Sequence, residues 1–92
     1  ASDVYKRQIQ YDILKTSAEY VKVGGTLVYS TCTLSRAEND EVADRFLAEH
    51  PDFEPAPLGE AFGSDSGLCR MSITPAKYNS DGFFIAKFIR LR

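Results

Sequence analysis

The order of elements along the sequence predicts an α/β fold. Apolar residues at positions 9, 13, 14, 18 and 21 fall at the spacing of an amphipathic helix. The run "TLVYSTC" at 26–32 is β-branched and aromatic, and the chain closes on "GFFIAKFIRL", a second and stronger strand pattern. With a further helix and short strands between them, the chain reads helix, strand, helix, short strand, loop, strand.

The first helix is expected to begin near Ile9 and to stop at Gly24-Gly25, where glycine can take the left-handed conformation of a helix cap. Residues 1–8, "ASDVYKRQ", fit that pattern poorly and read as a junction segment outside the fold, leaving 9–92 as the folded part. The strand at 26–32 does not alternate strictly, which suits a parallel strand buried on both faces. Ser35 and Glu38 have the spacing of a capping box, so the second helix is expected to start at Ser35. Glu38, Asp40 and Glu41 then sit in its first turns, where the helix dipole favours negative charge. Val42, Phe46 and Leu47 form its inner face, and Pro51 stops it. Pro55 and Pro57 limit 53–58 to a short or edge strand. Residues 59–80 read as a long loop with a short strand at 68–73. A strand buried on both sides needs more neighbours than this chain supplies. Either the strand is a bare edge, a liability for aggregation, or it pairs with a segment that precedes this one; the second reading makes the chain a fragment.

Bulk properties exclude several classes. The composition is 43% hydrophobic and 26% charged, with a net charge of −2. No apolar run approaches the roughly 20 residues of a membrane helix, and no global basic field advertises a nucleic-acid binder. Two cysteines without a framework pattern, Cys32 and Cys69, point to a reducing, cytoplasmic setting with free thiols. No metal-ligand spacing occurs: His50 stands alone and reads as a helix C-terminal cation. Asp81-Gly82 has the chemistry of a turn before the last strand.

Cys32 is the residue best placed for chemistry. It is expected at the carboxyl end of a strand and just before a helix N-terminus, where open α/β sheets bind ligands and where a thiol ionises more easily. Thr31 and Thr33 flank it with hydroxyls able to position a sulfur or a substrate. These are ingredients of a nucleophile. A small buried core cysteine has the same local signature.

Tyr29-Ser30-Thr31-Cys32-Thr33-Leu34, Glu38-Asn39-Asp40-Glu41, His50-Pro51-Asp52-Phe53 and Asp81-Gly82-Phe83-Phe84, in that order after Gly24-Gly25, resemble the C-terminal part of the RsmB/Nop/Sun family of RNA (cytosine-5) methyltransferases. The resemblance covers residues 9–92. It implies the distal half of a Rossmann-like class I methyltransferase domain, with the final strand antiparallel between strands 26–32 and 53–58 and both helices on one face. It further implies methylation of cytosine C5 in RNA, 16S ribosomal RNA first and transfer RNA second. S-adenosylmethionine is the implied methyl donor and Cys32 the nucleophile that adds to C6. The family's glycine-rich donor turn, its ribose-binding acid and its Pro-Cys motif lie upstream of this segment. The methyl donor is therefore expected to bind mainly to that missing N-terminal half, and the isolated chain is expected to be inactive. Arg36 stands where the family commonly has proline, and Ala76 where a histidine is often found.

Two other classes compete. A non-catalytic scaffold or RNA-contact fragment would use Lys87, Arg90 and Arg92 on phosphates. A thiol-redox element would use Cys32 with Cys69.

Overall fold

The structure, a computed structural model, describes residues 2–31, 38–59, 66–73 and 83–92. The elements are α1 (Ser2–Ala18), β1 (Thr26–Thr31), α2 (Asp40–Glu49), β2 (Phe53–Pro55), β3 (Arg70–Ile73) and β4 (Phe83–Arg90). Helices and strands form one α/β unit, in agreement with the expected class.

β4 is the centre of the sheet. β1 pairs antiparallel along one edge of it, from Thr26 opposite Ile89 to Thr31 opposite Phe84. β2 and β3 pair antiparallel with it at successive positions, Phe53 opposite Arg90 and Arg70 opposite Ala86. Since β1 and β2 are each antiparallel to β4, they run in the same direction, and the order β1-β4-β2 is the one the family resemblance implies. Pro55 sits in β2, where its lack of an N–H is tolerated at the sheet's rim.

Three expectations need correction. β1 is buried on one face only: Leu27, Tyr29 and Thr31 point inward, while Thr26, Val28 and Ser30 are exposed. Among the described residues its one partner is β4, and alternating burial follows from a single covering layer. The first helix begins at Ser2, upstream of Ile9, and Arg7 within the segment set aside forms an ion pair with Glu41 at 3.1 Å. It also ends at Ala18, short of the glycines, and tightens into i→i+3 bonds at Glu19, Tyr20 and Val21. Its inner face is Tyr11, Leu14 and Ala18, with Val21 packed against them, whereas Ile9 and Ile13 face out. Finally, α2 begins at Asp40, so Ser35 is not its N-cap; Asn39 takes that position and Glu38 lies in the preceding turn. Ser35 itself falls outside the described residues, as do Ala76, Asp81 and Gly82.

Both helices pack on the same face of the sheet. Tyr11, Leu14 and Ala18 from α1 and Val42, Ala43 and Phe46 from α2 meet Leu27, Tyr29, Phe53, Phe84, Ala86 and Phe88 in one core. Phe46 is its hub, with ring centroids 5.2 Å from Phe53 and 5.1 Å from Phe88. His50 stacks on Phe46 at 4.3 Å, and its Nδ1 lies 3.0 Å from the Phe46 carbonyl oxygen, which closes the last turn of α2. Leu58 and Met71 form a smaller cluster with Phe83 and Ile85 on the other face of β4.

The Gly24-Gly25 turn explains itself once β4 is in place. Gly24 has φ +84, a conformation that a side chain makes costly. A Cβ at Gly25 would lie 2.9 Å from the Lys22 carbonyl oxygen. The pair turns the chain so that Gly24 N–H donates to Arg90 O at 2.8 Å and Arg90 N–H donates to Gly25 O at 2.9 Å.

Candidate active site

β1 delivers its carboxyl end to the N-terminus of α2, and two buried hydrogen bonds join them. Thr31 Oγ1 donates to Asn39 Oδ1 at 2.5 Å, and Tyr29 Oη donates to the Glu38 carbonyl oxygen at 2.5 Å. Both side chains reach inward because Tyr29 and Thr31 share the inner face of β1. Asn39 is 1% exposed and Thr31 8%. Groups as buried as these are costly to leave without a partner, so the bonds fix the geometry strongly. Burial pushes the Tyr29 phenol up to about 12, with the nearby Glu38 charge adding to the effect. Its hydroxyl therefore stays protonated and donating through the neutral range.

A third tie holds the same helix end from the opposite strand. Arg70 Nη1 lies 2.8 Å from Asp44 Oδ1, 3.3 Å from Asp40 Oδ1 and 3.5 Å from the Asp40 carbonyl oxygen. The acidic cluster at 38–41 is thus divided among different tasks. Glu38 is buried in the turn, Asp40 pairs with Arg70, and Glu41 meets Arg7 at the surface.

Cys32 and Thr33 lie outside the described residues; Thr31 is the one candidate site residue whose surroundings the structure gives. Cys69 is a half-buried free thiol whose carbonyl accepts from Lys87 N at 2.9 Å. Arg90 is committed within the fold. Its Nη1 donates to Val21 O at 2.6 Å, its Nε donates to Arg92 O at 3.1 Å and lies 3.8 Å from Asp52. A phosphate-binding role for Arg90 would have to break those bonds. Among the described residues no group of His, Cys, Asp and Glu is arranged to hold a metal ion. Nor is any helix long and apolar enough to cross a membrane.

Sequence reasoning assigned no role to Tyr29, Asn39 or Arg70. Asn39 and Tyr29 lie within the family-like motifs, but their partners are eight and nine residues away, and local spacing carries no signal for them.

A model of a family described as "16S rRNA methyltransferase RsmB/F" matches residues 2–89. The chain belongs to the RsmB/F methyltransferase family. Among RsmB/F relatives, a probable ribosomal RNA small subunit methyltransferase B of Bacillus subtilis is 49% identical over 83 residues, 85% of this chain and 19% of that protein. A methyltransferase homologue from Pyrococcus horikoshii superposes with a TM-score of 0.80 at 31% identity, over 98% of this chain and 32% of that one. NSun6 from the same organism, solved with SFG, superposes with a TM-score of 0.71 at 26% identity, over 94% of this chain and 22% of that one. This chain therefore spans about a fifth of the length of the curated RsmB/F relative and under a third of these solved structures. The fold is that of Nop/Sun-type methyltransferases, and what is described here is a portion of it.

Proposed function

We propose that this chain is the part of an RsmB/F-type methyltransferase that carries the nucleophile for methylation of cytosine C5 in RNA, with 16S ribosomal RNA as substrate. One observation supports the reading above the others. The carboxyl end of β1, the residue before Cys32, is fastened by Thr31 and Tyr29 to the start of α2, at the end of the strand where open α/β sheets place their ligands. The names of the matched family and relative favour ribosomal RNA over transfer RNA.

In this reading the Cys32 thiolate adds to cytosine C6, forming an S–C6 bond and moving the C5–C6 π electrons to C5. C5 then bonds to the methyl group of S-adenosylmethionine as the methyl–sulfonium bond breaks and its electron pair stays on sulfur. A base takes the C5 proton, the C5–H electrons restore the double bond, and the thiolate leaves. The donor, a second substrate, supplies an electrophilic methyl carbon. Among the described residues, one cleft is lined by Arg7, Glu41 and Arg45 and another by Lys15, Glu19, His50 and Arg90. The family resemblance assigns the donor to residues upstream of this segment. NSun6, the relative solved with SFG, an analogue of S-adenosylmethionine, is consistent with that donor.

The test is a chimera in which this chain replaces the matching segment of the Bacillus subtilis relative. With 16S ribosomal RNA containing 5-fluorocytosine and with S-adenosylmethionine, a covalent protein–RNA adduct is expected, because fluorine at C5 cannot leave as the proton does. Cys32→Ala should abolish it. An adduct that survives Cys32→Ala would falsify the assignment of the nucleophile. Adduct formation on transfer RNA in preference to ribosomal RNA would overturn the substrate.

A further inference from the structure

α1 carries apolar residues on two opposite faces. Tyr11, Leu14 and Ala18 pack in the core, while Ile9, Ile13 and Tyr20, with Thr16 between them, stand exposed at spacings of four, three and four residues. At 3.6 residues per turn, Ile9, Ile13 and Thr16 fall within about 60° of one another and roughly 160° round the helix from the inner face. Tyr20 extends the row into the tightened turn past Ala18. Ile13 is 57% exposed and Tyr20 84%, and a cleft of about 350 Å³ is lined by Asp12, Ile13, Thr16, Ser17 and Tyr20.

Single apolar residues on a surface are ordinary, but a row at helical spacing is not. A helix side that faces water is polar, and a helix apolar on opposite sides is covered on both. The row has the anchor spacing with which one helix lies in the groove of another. Asp12 and Glu19 are exposed along one flank of it, an acidic border that complements basic residues at the rim of a partner. The fold shows which side the cover comes from. α1 lies over β1, and the far edge of β1 has no partner among the described residues, so the row and the open edge share one margin of the molecule. This chain spans 19% of the Bacillus subtilis relative and 32% of the Pyrococcus horikoshii homologue, so most of such a polypeptide lies outside it. We propose that the outer row of α1 is a docking surface for one amphipathic helix from that remaining part of the same polypeptide. The inference rests on membership of the family and not on the chemistry proposed for Cys32.

The chimera with the Bacillus subtilis relative provides the test. Hydroxyl-radical labelling read by mass spectrometry should oxidise Ile13 and Tyr20 several-fold more slowly there than in a peptide of residues 9–23, at every protein concentration and without RNA. A benzophenone photocrosslinker in place of the Tyr20 ring should capture residues of the relative's own part of the same chain, three or four positions apart. Labelling of both residues at the peptide's rates overturns the proposal. So does protection that grows with protein concentration, the mark of a second copy, or protection that appears only with 16S ribosomal RNA. Crosslinks at alternate residues of an extended segment overturn the helix. Ile13→Glu should lower the melting temperature of the chimera by about 2 °C or more, the scale of a lost buried contact in a large chain, and Ile13→Leu should not; an unchanged melting temperature in Ile13→Glu also overturns the proposal. Should Ile13→Glu fail to fold, labelling of the unsubstituted chimera decides alone. A chimera that shows the protection but forms no RNA adduct fails the cytosine reading and leaves the docking surface standing.

Discussion

Arg90 Nη1 donates to the carbonyl oxygen of Val21 at 2.6 Å, joining the end of the last strand to the turn that follows the first helix. The same guanidinium approaches Asp52 and lies 5.8 Å from the centre of the Phe53 ring, so it ties three segments with one planar group. Arg90→Ala is expected to lower stability by about 2 kcal/mol, the scale of a partly buried charged hydrogen bond. Arg90→Lys should not restore it, because an ammonium is a point donor. Thermal melting checks both, and a fall in melting temperature of less than a degree or two in Arg90→Ala would show that the contact carries no stability.

Phe46 is 0% exposed and packs against His50, Phe53 and Phe88. Truncation to alanine should cost about 3–5 kcal/mol. That is a large share of what a domain of this size has to lose, so Phe46→Ala should show no cooperative melting transition. Phe46→Leu, which keeps most of the volume, should melt cooperatively at a lower temperature.

The two raised tyrosines make stability fall in alkali. Burial, then the Glu49 hydrogen bond, pushes Tyr11 up to about 12, and burial pushes Tyr29 to about the same value. An unfolded tyrosine titrates near 10. The folded state holds these protons more tightly, so their contribution is complete below pH 10 and fades as pH rises from 10 towards 12. Urea midpoints measured from pH 8 to 11.5 should drop above pH 10. Tyr29→Phe should be less stable throughout and show a shallower alkaline fall.

Acid acts through the other end of the Tyr11 contact. The Tyr11 hydroxyl, then Arg45, holds the Glu49 carboxyl below its ordinary 4.5. For a depressed carboxylate the contribution is present above the unfolded value and is lost as pH falls below 4.5 through the folded one. Glu49→Gln should flatten the stability profile below pH 4.5 and also reduce Tyr11's share of the alkaline fall, because the Glu49 charge helps to raise Tyr11; denaturation followed at a series of pH values checks both.

Val28 is 52% exposed on the outer face of β1, whose second edge has no partner among the described residues. An open strand edge beside an apolar face invites pairing with another copy. Val28→Lys should change stability by no more than about 0.5 kcal/mol and markedly slow the growth of light scattering in the isolated chain. Unchanged aggregation would point to another surface, such as the exposed Ile13 and Tyr20 of α1.

Much of this architecture is legible in the residues, and the exceptions share a cause. "FFIAKFIR" has no competing reading, and β4 appears where it is expected. Its central place in the sheet came from the family-like motifs, since strand order is not written in any single strand. β1 departs from the expected double burial because Val28, β-branched and apolar, faces out. The inner face of α1 departs from the expected stripe because Ile9 and Ile13 outweigh Tyr11 in any count of apolar residues. Tyr11 nevertheless takes the inner face, with its hydroxyl spent on Glu49 and its ring under the Arg45 guanidinium at 3.8 Å. Ser35 and Glu38 satisfy a local capping rule, but the chain uses Asn39, whose partner comes from β1. The ties around the candidate site are of this kind. They depend on which strand lies beside which helix, and neighbouring residues do not encode that.

β4 is central in space and follows the other described strands in sequence. Each strand pairing in the described sheet, whether from β1, β2 or β3, is made to it. A ribosome that has translated up to residue 82 has therefore produced β1, β2 and β3 without the strand that all three pair with. The described sheet closes only after residues 83–90 have cleared the exit tunnel. A stop codon ahead of β4 removes the common partner of all three other described strands at once.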